Sequence, residues 1–302
     1  SEAYYDLGLT LFYQGRYEEA YDAFFKATWS NEQQEMSFYF LAAIAARKGA
    51  YPLALELVEK GLVKNSHNIK ARGLKAAILR KMGRIEAEKA WLAENKKVDR
   101  FDYVSGYEEI LLAPEEEQEE KKLALKAQMR NFHQNFIQAA IDYMEGGFYQ
   151  EALGMLNLCD AKWPMLYYYR GMCLDQLGEE DQAKEMVKMA DQADSYCCFP
   201  NRLEDIAVLE LAAKLQPQLP KAFYYVGNLW YDKRQYDKAK TAWETSAELD
   251  AQFPTVLRNL SLVYYNKCQE PEKAKEVLEK AFALDPTDCR IFLELDQLYK
   301  KL

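Results

Sequence analysis

Histidine is almost missing from this sequence. Two occur among 302 residues, His67 in the turn sequence KNSHN and His133 near the start of a helical stretch, and neither has a Cys or carboxylate at metal-ligand spacing. Imidazole is the side chain most used for proton transfer near neutral pH and a common metal ligand. Both are expected to be ordinary surface or helix-start histidines. The short catalytic and nucleotide-binding signatures are missing as well: the sequence has no G-x-S-x-G, P-loop, H-E-x-x-H or G-x-G-x-x-G. Asp and Glu are abundant enough to supply an acid and base pair for a glycoside, but helical surfaces always carry such pairs.

Positive charge is also short. With 39 Lys and Arg against 48 Asp and Glu, the formal charge is −9, whereas a nucleic-acid partner requires clustered cations on a basic face. No apolar run is long enough for a membrane span, and no charged-then-apolar leader opens the chain. Six cysteines occur (Cys159, Cys173, Cys197, Cys198, Cys268, Cys289), none in a C-x-x-C pair. They are expected to be reduced thiols in a cytoplasmic setting, not a disulfide framework or zinc site. The expectation is therefore a chain with no cofactor and no metal, not an enzyme, and engaging neither nucleic acid nor membrane. It begins with Ser1 and enters a helical pattern almost at once, as a piece excised from a longer protein would.

What is present is a repeat. The stretch YYDLGLTLFYQGRYEEAYDAFFKA (4–27) aligns with FYFLAAIAARKGAYPLALELVEKG (38–61): Gly8 on Ala42, Gly15 on Gly49, Tyr17 on Tyr51, Ala20 on Ala54 and Phe24 on Val58, each 34 residues on. The frame returns at 136–159 (Ala140, Gly147, Tyr149, Ala152, Leu156) and 167–190 (Gly171, Gly178, Ala183, Val187). It returns again at 224–243 (Gly227, Tyr236, Ala239, Trp243) and at 256–286 (Ser261, Ala274, Leu278, Ala281), the last with one extra residue in its inter-helix turn. A copy near 70–97 keeps Ala76 and Gly83 but loses the small residue that Ala20 supplies elsewhere. Small residues let paired helices approach, a glycine allows the turn, and a large residue fills the space toward the next unit. No unit buries its apolar faces alone, so stacked neighbours share one core.

The 34-residue period, in six matching copies, resembles the tetratricopeptide repeat. The resemblance implies an all-α, right-handed solenoid of antiparallel helix pairs. Two stretches interrupt the frame. Residues 98–131 read as two helices, Tyr103 to Leu112 and Glu115 to Met129; the acidic run PEEEQEE (114–120) is either a solvated helix start or a docking site for a basic partner. Residues 195–217 give one amphipathic helix after Pro200, expected to cap or hinge the array. The expected parts are repeats at 1–97 with the third degenerate, a helical connector at 98–131 and two repeats at 132–194. Residues 195–302 complete the chain with the capping helix, two further repeats and a terminal helix.

The segments NFIQAAIDYMEGGFYQEAL, FPNRLEDIAVLELA, AFYYVGNLWYDKRQYDKAKTAWETSAELDAQFPTVLRNLSLVYYNK and LELDQLYKKL carry a narrower resemblance. They are similar to the C-terminal repeat region of a family of long bacterial proteins of unassigned function, in which a β-sandwich part like those of carbohydrate-active proteins precedes the repeats. That resemblance implies two readings: a non-catalytic scaffold, or an accessory region packing on an N-terminal catalytic domain.

In tetratricopeptide arrays the first helix of each unit lines a concave surface. Carried onto this sequence, the last two copies present Lys221, Tyr224, Asn228 and Tyr231, then Arg258, Asn259 and Tyr265. Flat rings, amides for an extended backbone and cations for a carboxylate suit a protein or peptide partner, including the chain's own N-terminal domain or a sister chain. Asn228 and Asn259 stand where carboxylate-clamping repeats carry asparagine, but Tyr224 replaces their lysine. The alternative is that Tyr231 and Tyr265 pack on each other and on the terminal helix.

Overall fold

The computed structural model describes residues 2–302, and all regular structure among them is helical: eighteen α-helices and one π-helical turn. The chain forms two compact units, Ser1–Lys162 with Cys173–Glu179, and Trp163–Met172 with Glu180–Leu302.

The first unit holds five antiparallel pairs. These are α1 (Glu2–Tyr13) with α2 (Tyr17–Ala27), α3 (Gln34–Arg47) with α4 (Tyr51–Lys64), and α5 (Ile69–Lys81) with α6 (Ile85–Val98). Then come α7 (Tyr103–Leu112) with α8 (Glu115–Gln128), and α9 (His133–Glu145) with α10 (Tyr149–Asn157). Helices α1 to α8 pack on one another in chain order. The interrupting segment at 98–131 thus forms a helix pair of its own, its start fixed by Asp102, whose side chain accepts from the Ser105 backbone N–H as an N-cap.

Repeat chemistry explains the pairing. Gly15 ends the first helix with φ +75°, a left-handed conformation that costs glycine little. Gly8 makes room for a ring more than for a backbone: a Cβ there would stand 2.7 Å from Phe24 Cδ1. The Phe24 ring then stacks on Phe40 of the next pair, centroids 4.8 Å apart. The small position thereby couples packing within a unit to packing between units.

The second unit begins at Trp163, takes α11 (Pro164–Gln176) as far as Met172, and continues through α12 (Glu180–Gln192), α13 (Leu203–Leu215), α14 (Pro220–Asp232) and α15 (Tyr236–Leu249). It ends with α16 (Pro254–Val263), a π-helical turn (Tyr264–Cys268), α17 (Pro271–Leu284) and α18 (Cys289–Lys301). Helix α13, the lone amphipathic helix of the sequence reading, packs on α12 and α14. Asp205 anchors it by accepting from the buried Tyr169 hydroxyl at 2.7 Å and from the backbone N–H groups of Asn201 and Arg202. The extra residue of the last repeat does not enlarge its loop. It is absorbed in the π-helical turn that extends α16, after which Gln269 takes the left-handed position at φ +57°.

Candidate functional site

The residues singled out on α14 and α16 come together, but much of their bonding capacity is used internally. Asn228 Oδ1 accepts from Trp243 Nε1 at 3.1 Å and from Asn259 Nδ2 at 3.0 Å. An amide has one carbonyl oxygen and two N–H donors. Asn228 is therefore held by the fold, while Asn259 keeps its carbonyl oxygen and a second N–H. Gly227 lies beneath: a Cβ there would stand 2.5 Å from the Trp243 ring. The glycine is required for the indole to reach Asn228.

Tyr224 is buried, its ring 4.8 Å from that of Phe253 and 5.0 Å from that of Tyr225. Burial raises its phenol pKa, with the Asn228 amide and Arg258 pulling the other way. Tyr231 packs on Tyr236 and Trp243, at 5.2 and 5.4 Å. Lys221 Nζ donates to the Ala193 carbonyl at 2.7 Å. Arg258 makes a two-pronged contact with Glu294 of α18, Nε to Oε2 at 2.9 Å and Nη2 to Oε1 at 2.5 Å. Tyr265, in the π-helical turn, has Lys301 Nζ 5.3 Å from its ring centroid. Beside it lies a cavity of about 130 Å³ lined by Ser261, Leu262, Asn266, Glu294 and Gln297 among others.

Helix α18 is thus the element that residue-by-residue reading undervalued. Its signal was present: Glu294, Gln297 and Lys301 recur at three- and four-residue spacing on one face, with Ile291, Leu295 and Leu298 buried on another.

The first unit differs. Its inner helices α3, α5 and α7 are crossed by α9. Tyr39 of α3 and Ile137 of α9 are fully buried. Glu145 of α9 accepts from the Tyr39 and Tyr13 hydroxyls and from Lys70 Nζ at 3.0 Å. Burial lowers the Lys70 pKa, but Glu145 and Asp142 outweigh it and the net shift is upward. Burial, together with Glu145, pushes Asp142 up to about 7 against the opposing pull of Lys70. Further along, Tyr143 donates to Glu108 at 2.8 Å, and Arg80 pairs with Glu108 at 2.6 Å and Glu151 at 2.8 Å. Among the described residues, no group of three or more His, Cys, Asp or Glu is arranged to hold a metal ion, and no helix is long and apolar enough to cross a membrane.

The family model of the tetratricopeptide repeat matches residues 1–33 and 258–288. The chain carries tetratricopeptide repeats in both units. Solved structures with similar folds include YrrB, described as a TPR protein with an unusual peptide-binding site, at 18% identity over 82% of this chain and 100% of that one, with a TM-score of 0.30. Yeast Tom70 matches at 14% identity over 99% of this chain and 88% of its own, with a TM-score of 0.32. The C-terminal part of a TPR protein from Cytophaga hutchinsonii matches at 15% identity over 95% and 98%, with a TM-score of 0.29. Scores this low do not extend to superposition of whole chains. No enzymatic family is indicated by these matches.

Proposed function

We propose that the protein is a non-catalytic, cytoplasmic protein-interaction scaffold that docks an extended peptide or a partner domain on the inner helices of its second unit. The observation that carries this reading is the fixed amide pair Asn228–Asn259, which holds Asn259 ready to pair with a peptide backbone. Alongside it stand the Arg258–Glu294 pair and the Tyr265–Lys301 cavity. Tyr265 supplies rigid contact area, and Arg258 exchanges Glu294 for a ligand carboxylate. The buried Tyr224, Tyr231 and the engaged Lys221 support the surface from behind.

A second reading is favoured by one observation: α1 and α2, with the residues just after them, expose Tyr4, Leu7, Phe25 and Trp29, the last 77% accessible. Exposed apolar side chains of this kind suit packing against a further domain, as in an accessory region of a carbohydrate-active protein.

The test is selection from a displayed peptide library on the wild-type protein, followed by titration of the selected peptide into variants. Asn259→Ala, Arg258→Ala and Tyr265→Ala are each expected to weaken it by about 1 kcal/mol or more. Unchanged affinity in all three would remove the proposed surface, and glycosidase activity in this chain would remove the scaffold reading.

A further inference from the structure

The first unit contains a cavity of about 460 Å³ that the peptide-binding reading does not use. That volume lies in the range of small-molecule sites. Its walls include Tyr17 and Glu18 of α2, Ile44, Arg47 and the following Lys48 at the end of α3, and Tyr149 of α10. The turns at Gly15 and Gly147 form its edge.

Arg47 is held in place by the protein. Its Nη1 donates to the carbonyl oxygens of Met144 and Glu145. Its Nη2 donates to Tyr17 Oη and Tyr149 Oη, each at 2.5 Å. The guanidinium carbon also lies 4.3 Å from the Tyr17 ring centroid. A phenol that accepts a hydrogen bond still has its own O–H to give. Among the described residues neither hydroxyl donates to a protein acceptor, and both tyrosines line the cavity. Two phenol donors, polarised by one guanidinium, therefore border an open space of ligand size.

The charges nearby select among anions. Lys48 Nζ lies 2.6 Å from Glu18 Oε1, and both side chains are well exposed. Arg47 and Lys48 against Glu18 leave one net positive charge, which matches a monocarboxylate better than a phosphate dianion. Ile44 and the flanks of the two rings provide apolar wall for the rest of the ligand.

We propose that this cavity is a binding site for a small carboxylic acid with an apolar body. The Tyr17 and Tyr149 hydroxyls donate to its carboxylate oxygens, and Lys48 exchanges Glu18 for the ligand. Arg47 polarises the two phenols and does not itself need to touch the ligand.

The experiment is a calorimetric and NMR titration of the whole chain with benzoate, with benzamide as its uncharged counterpart, and with a tetrapeptide as free acid and C-terminal amide. Benzoate is expected to saturate below about 10 mM, with benzamide showing no saturation. Tyr17→Phe combined with Tyr149→Phe keeps both rings over Arg47 and is expected to weaken benzoate at least about tenfold, with some loss of thermal midpoint because Arg47 Nη2 loses both acceptors. Lys48→Ala, at an exposed position, provides an independent variant expected to weaken it several-fold. Equal binding of benzamide, no saturation by benzoate, or unchanged benzoate affinity in these variants would overturn the site. Binding of the free-acid tetrapeptide in place of benzoate would overturn the assignment to a small molecule.

Discussion

Glu88 stands where Ala20 and Ala54 stand in the first two repeats. Its side chain is fully buried, and neither carboxyl oxygen receives a hydrogen bond. A buried carboxyl without donors is held neutral. Burial first, and the neighbouring Glu108 carboxylate second, push Glu88 up to about 8, partly offset by Arg80. The direction fixes the effect on stability. Above the ordinary Glu value the unfolded chain releases this proton while the folded chain keeps it, so the group's contribution falls as pH rises, by about 1.4 kcal/mol per unit until the folded value is passed. Glu88→Gln, which is always neutral, is expected to match wild type near pH 5 and to exceed it by a few kcal/mol near pH 8.5 in urea denaturation. A stability difference that does not change with pH would show that Glu88 ionises freely. The sequence frame marked this position as irregular by its missing small residue. It gave no sign that the replacement would be buried beside a second carboxylate, because that depends on Glu108, twenty residues away on α7.

At the scale of elements, the pairing of helices was legible and their crossing was not. The spacing of Gly8, Gly15, Ala20 and Phe24 is a local pattern, and it recurs wherever a pair forms. The helices of the 98–131 interruption were legible too, from the Pro-Glu opening and the apolar spacing, and they occur as α7 and α8. The extra residue of the last repeat was visible, but its absorption into a π-helical turn was not. Whether a residue enters a loop or a helix is decided by the packing on either side. The docking of α9 is a pairing between distant segments. Nothing in the local sequence marks Lys70, Asp142 and Glu145 as partners, since a charged side chain is usually exposed. In the structure Glu145 gathers two tyrosine hydroxyls and an ammonium from three different helices. Removing the carboxylate takes the acceptor from the buried Tyr39 hydroxyl and leaves Lys70 with Asp142 alone of its two carboxylate partners. Glu145→Ala is therefore expected to cost about 3 kcal/mol, measured as a shift in the urea midpoint at unchanged m-value. A loss under about 1 kcal/mol would mean that apolar packing alone seats α9.

At the scale of the molecule, one repeat pattern yields two different inner faces. In the first unit α9 crosses α3, α5 and α7, so the positions that line a groove in other tetratricopeptide arrays are core here. In the second unit the inner residues pair laterally, Asn228 with Asn259 and Arg258 with Glu294, leaving an open cavity beside Tyr265. The candidate site was legible in part: Asn228, Asn259 and Arg258 follow from the repeat register, whereas the share of their bonding that the fold consumes depends on Trp243 and α18. The central claim is that a peptide partner docks on the second inner face and not on the first. Hydrogen exchange followed by mass spectrometry, with and without a library-selected peptide, tests it most directly. Slowed exchange in α16, the π-helical turn and α18, with none in α3 and α5, is the predicted result. Slowed exchange centred on α3 and α5 would contradict the account.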